Sequence, residues 1–132
     1  MDRHIVGEFV PIAYDILKDS PVYKDGQISS SFKRIITSFG TAVQMGKLTP
    51  AVAFFSQRGQ DDNFGQELLK IILQMLKTHG DASESEPNLF HYICEEDKKR
   101  KKGAKLEVLN ASVAVKFAMN LFESEERKKR GE

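Results

Sequence analysis

Residues 38–59 limit what this chain can fold into more than any other stretch. They hold the end of an apolar-faced helix, a corner at Gly46, a restart at Thr49-Pro50 and a second, short helix that stops at Gly59. Thr49 suits an N-cap, and Pro50 suits the first helical position, where a missing N–H costs nothing. Gly46 and Gly59 stand where helices stop, and both can take the left-handed conformation that ends a helix. Between them Ala51, Val52, Ala53, Phe54 and Phe55 are apolar all round. A helix without a polar face is either buried on every side or covered by a partner.

Helical periodicity extends in both directions from this hub. The first helix, 2–18, carries Ile5, Phe9, Ile12, Ala13 and Ile16, with Pro11 predicting a kink or a late start near Glu8. A loop follows, marked by the turn signal Asp25-Gly26. Serines at 29–31 cap a second helix with Phe32, Ile35, Ile36, Phe39 and Val43 on one stripe, and Gly40 suggests a close helix crossing. The third helix spans 50–57. A fourth starts from a cap at Asp61, Asp62 or Asn63, buries Phe64, Leu68, Ile71, Ile72, Met75 and Leu76, and ends at Lys77, His79 and Gly80. After an acidic loop at 81–87, a short segment at 88–97 buries Leu89, Phe90 and Ile93; a strand is the alternative there. The last helix, 105–123, stacks Leu106, Leu109, Val113, Phe117 and Leu121, and Ala111, Ala114 and Ala118 let a neighbour come close.

No alternating strand pair with a hairpin turn and no internal repeat stands out. The reading is an all-α, single-domain bundle of five to six short helices over 1–123, with a charged, frayed tail at 124–132. At 132 residues the chain is long enough for one core. Its apolar runs are far too short for a membrane span, the first residues lack a secretory core, and the single Cys94 suits a reducing cytoplasm.

A net charge of +1 conceals an asymmetry. Residues 1–97 hold 9 Lys/Arg against 14 Asp/Glu, a net of −5, while residues 98–132 hold 11 against 5, a net of +6. A basic end on an acidic body points to a polyanion or an acidic neighbour.

Catalytic patterns are scarce. His4, His79 and His91 stand in no nucleophile–base arrangement and fit ordinary surface or core roles. His91-x-x-Cys94 lacks the second pair that a zinc site needs. Asp61-Asp62 reads as a cap, and no glycine-rich phosphate loop occurs. The expectation is a protein that is no enzyme and holds no cofactor or metal.

Lys98, Lys99, Arg100, Lys101 and Lys102, with Lys105 beyond, form an electrostatic footprint for phosphates. The alternative is a solvated ion-paired face, since Glu95, Glu96 and Asp97 lie four residues before Lys99, Arg100 and Lys101. A helix-turn-helix is disfavoured, because its second helix would open on Asp61-Asp62 and carry Glu67 against phosphates.

Three stretches resemble the small helical subunit of the Cmr (type III-B) CRISPR effector complex. They are Phe39-Gly-Thr-Ala-Val with Leu48-Thr-Pro-Ala-Val-Ala-Phe-Phe55, then Leu68-Leu-Lys-Ile-Ile-Leu-Gln-Met-Leu76, then Glu107-Val-Leu-Asn-Ala-Ser-Val-Ala-Val-Lys-Phe-Ala118. Here Lys47 separates Gly46 from the corner Leu48, Gln57-Arg58 stands where the family often has a lysine, and the 98–102 run has no counterpart. The resemblance implies a non-catalytic protein that stacks in a few copies beside other subunits of the complex in antiviral defence. It also implies a hold on guide RNA and target RNA through Lys47, Arg58 and Lys116, with Lys33 and Arg34 as neighbours. Two other readings compete: a protein-interaction module without nucleic-acid binding, and a DNA-binding regulator.

Overall fold

The computed structural model describes residues 2–56, 64–98 and 103–129. Six helices appear among them: α1 Arg3–Lys18, α2 Ser30–Met45, α3 Leu48–Phe55, α4 Phe64–His79, α5 Leu89–Lys98 and α6 Ala104–Lys129. The bundle reading holds. α6 lies along α1 and also meets α2 and α4; α3 bridges α2, α4 and α5. The core between them centres on Phe9, Phe32, Phe39, Leu68, Ile72, Met75 and Leu76, all below 2% exposure.

Each helix follows its sequence with informative exceptions. α1 starts at its full length because the Asp2 carboxylate accepts from the backbone N–H of His4 at 3.0 Å and Ile5 at 3.3 Å. Pro11 lies inside the helix and does not delay its start. The carbonyl it deprives of a partner belongs to Gly7, which is exposed, so water can take the missing bond. The buried line is Val6, Phe9, Ala13 and Leu17.

The loop after α1 contains a minimal hairpin that periodicity does not reveal: β1 Tyr23–Lys24 pairs antiparallel with β2 Gln27–Ile28. Asp25 (φ 53°) and Gly26 (φ 80°) both take left-handed conformations, as a tight two-residue hairpin turn requires. Two-residue strands are too short for alternation to show.

The corner also differs in detail. Gly46 ends α2 in extended backbone (φ −133°, ψ −156°), not in the left-handed region. α3 starts two residues early, with Lys47 as N-cap, so Pro50 occupies the third helical position. There too an N–H has no partner within the helix, so proline is tolerated. The inward face of α3 is Leu48, Ala51 and Val52, while Ala53 and Phe54 are exposed. A methyl group at Gly40 would meet nothing within 4 Å, so no close crossing occurs there. Such an approach occurs at Gly65, where an added Cβ would stand 2.7 Å from the Phe55 carbonyl oxygen, and this lets α4 start against the end of α3.

α4 is the central element, with Leu68, Leu69, Ile71, Ile72, Leu73, Met75 and Leu76 all buried. It stops at Gly80 (φ 98°), and the Leu76 carbonyl then accepts from the N–H of Asp81 at 2.8 Å. The expected caps of α4, Asp61, Asp62 and Asn63, lie outside the described residues, as does Gly59. α5 buries Leu89, Tyr92 and Ile93, and Phe90 faces out at 40% exposure instead of entering the core.

α6 gives the largest correction. Its expected apolar stripe is the outward one: Leu106, Phe117 and Leu121 are 47%, 46% and 46% exposed, with Leu109 and Val113 half-buried. The core side is Val108, Ala111, Ala114, Val115, Ala118, Met119 and Phe122. The three alanines are fully buried on that side, between the larger Val108, Val115, Met119 and Phe122. Backbone helix continues to Lys129, past the expected end at Glu123.

Candidate nucleic-acid interface

The α2–α3 corner gathers basic groups around exposed backbone. Lys47 is exposed, and its side chain makes no capping hydrogen bond. Lys105, one residue into α6, reaches back so that its Nζ donates to the Gly46 carbonyl at 3.1 Å. This hydrogen bond satisfies an oxygen at the end of α2 and places the Lys105 ammonium at the corner where the exposed Lys47 and Met45, at 85% exposure, also stand. In sequence, Lys105 reads only as an extension of the 98–102 run. Nothing in its local pattern signals that it folds back across 59 positions.

The other expected RNA-binding residues separate. Lys116 is exposed on the outer side of α6, next to Phe117. Lys105 and Lys116 are three helical turns apart and so share a face, about 16 Å from one another along the axis. Lys33 is half-buried and committed to an ion pair with Glu123 of α6. Arg34 is exposed, with Nη2 at 3.4 Å from the Ser31 hydroxyl oxygen. Lys98 ends α5. Arg58, Lys99, Arg100, Lys101 and Lys102 lie outside the described residues.

A groove of about 520 Å³ opens between α3, α4 and the start of α5, lined by Ala53, Leu69, Leu73, Leu89 and Phe90 with Lys70 at its edge. Ser56, Gln66 and Asn88 add polar groups to this mainly apolar lining, and no histidine or cysteine lines it among the described residues.

Each histidine stands within reach of a carboxylate. His91 Nδ1 meets Glu86 at 2.7 Å. His79 stands between Glu8 of α1 and Asp81, each at 2.7 Å. The hydrogen bond to Glu8, with that to Asp81 adding to it, holds the His79 imidazole above its ordinary 6.5 against the opposing effect of burial. Reciprocally, His79 holds the Glu8 carboxyl below its usual range. Burial, and the Glu107 carboxylate that accepts from the Tyr92 hydroxyl at 2.7 Å, push that phenol far above its usual range. No group of three His, Cys, Asp or Glu residues among those described is arranged to hold a metal ion, and no helix among them is long and apolar enough to cross a membrane.

Fold and surface together define an all-α protein with exposed apolar side chains and scattered lysines. A family model described as CRISPR-associated protein (Cas_Cmr5) matches residues 12–119, and the chain belongs to that family of Cmr complex subunits. No curated protein and no solved structure matches it.

Proposed function

We propose that this chain is a non-catalytic small subunit of a type III-B (Cmr) RNA-guided silencing complex, acting in cytoplasmic antiviral defence. In this reading it stacks with other subunits and further copies of itself and holds the guide–target RNA through basic residues. The observation that carries the RNA part is the corner, where Lys47 and Lys105 project from exposed backbone with Lys116 further along the same side of α6 as Lys105. Lys33 is the weakest of the candidates, because Glu123 already neutralises it.

Neutralising phosphates releases counterions, so binding should be sequence-independent and salt-sensitive. Changing Lys47, Arg58 and Lys116 together to Ala in the assembled complex is expected to weaken target-RNA binding. The slope of log affinity against log salt should shrink by about 0.7–0.9 for each phosphate that is no longer neutralised. An affinity and slope equal to wild type would remove these residues from the interface.

The exposed stripe Leu106, Phe117 and Leu121, together with Phe54 at 66% exposure, favours a second reading as a pure protein-interaction module. Recovery of a protein partner that survives nuclease and high salt, with no RNA retained, would favour that reading.

A further inference from the structure

His79 occupies an unusual position for a histidine on a bundle surface. It is the last residue of α4, and its ring packs on Phe9 of α1 with centroids 4.6 Å apart. Nε2 lies 2.7 Å from a Glu8 carboxylate oxygen, and Nδ1 lies 2.7 Å from an Asp81 carboxylate oxygen. Ionised carboxylates only accept hydrogen bonds, and a neutral imidazole has one N–H to give. Both hydrogen bonds together therefore require the imidazolium.

The surroundings concentrate charge on this point. α1 contributes Glu8, whose second oxygen is 3.1 Å from His4 Nε2, and Asp2 at the helix cap. The turn after α4 contributes Asp81, and α4 itself carries Lys77 two positions earlier. α5 and α6 meet the same turn through the Tyr92 hydroxyl, which lies 3.4 Å from the Asp81 carbonyl oxygen and donates to Glu107 of α6. The C-terminal end of the α4 dipole also favours a cation there.

We propose that His79 is a proton-operated latch. Protonated, it fastens α1 to the turn that follows α4; without its proton it releases either Glu8 or Asp81 and loosens that end of the bundle. The direction in pH follows from the two partners. His79 is raised above 6.5, so its contribution is fully present below 6.5 and is lost as pH rises through the higher folded value. Glu8 is lowered below 4.5, so its contribution is present above 4.5 and is lost as pH falls through the lower folded value. The latch is closed between these limits; it opens on the alkaline side as His79 loses its proton and on the acid side as Glu8 gains one.

The test is imidazole ¹⁵N NMR on the full chain across neutral and alkaline pH, paired with thermal unfolding over the same range. Wild type is expected to lose thermal stability as pH rises, and Glu8→Gln is expected to lower the His79 titration midpoint and to flatten that loss. Asp81→Asn reports the other ring nitrogen and keeps the test available should the first variant fail to fold. Glu86→Gln, which removes the nearer of the two carboxylates beside His91, should leave His79 unmoved. A His79 midpoint identical in wild type and both latch variants would overturn the proposal. So would a midpoint that moves while the stability profiles of wild type and variants stay parallel.

Discussion

α4 and α6 both line the core, yet they do so with opposite materials. α4 buries large branched side chains on nearly every side because it runs through the middle, touching α1, α2, α3, α5 and α6. α6 interleaves alanines at 111, 114 and 118 with Val108, Val115, Met119 and Phe122 on its buried side and leaves Leu106, Phe117 and Leu121 at the surface. A central helix fills space with volume; a flanking helix packs by coming close. The outward leucines and phenylalanine are then surplus to the fold.

This contrast can be broken in order of size. Ile72→Ala in α4 should cost about 2–5 kcal/mol in chemical denaturation, since its neighbours cannot collapse into the space. A loss below about 1 kcal/mol would mean the α4 surroundings are loosely packed. Ala118→Leu on the inner face of α6 should cost about 1–3 kcal/mol by overpacking against its neighbours. A neutral result would show that α6 has room to move outward. Phe117→Ser, one position away on the outer face, should change the stability of the isolated chain by no more than about 0.5 kcal/mol. Incorporation of that variant into the complex, measured by co-purification, is expected to fall. If the variant instead unfolds the isolated chain, the outer stripe belongs to the core after all.

The same contrast explains what can be read from sequence. In α4, Glu67, Lys70 and Gln74 break the apolar pattern often enough to mark the helix, and Lys77, His79 and Gly80 mark its end. The stripe from Leu68 to Leu76 is therefore legible. In α6, periodicity offers two apolar faces and favours the one with the larger residues. Only tertiary packing reveals that Ala111, Ala114 and Ala118 face inward. The hairpin at Asp25-Gly26 gives its turn signal, but its strands are shorter than any period.

At the candidate interface, Lys47 and Lys116 can be picked from sequence because each lies beside a recognisable motif. The hold of Lys105 on Gly46 and that of Glu123 on Lys33 are long-range pairings with no local trace. For the same reason the His79 latch is invisible in sequence: Glu8 stands 71 positions away.

The packing of α1 against α6 has a consequence for synthesis. The Asp2 backbone N–H donates at 3.0 Å to the side chain of the buried Asn110, 108 positions later. At translation rates of about 5–20 residues per second, the first helix leaves the ribosome roughly 5–20 s before the segment that covers it. During that interval Val6, Phe9, Ala13 and Leu17 lack their final cover, and the bundle closes only when the last helix arrives. Until α6 has been made, the nascent chain thus carries a sticky α1, a vulnerable period suited to chaperone binding.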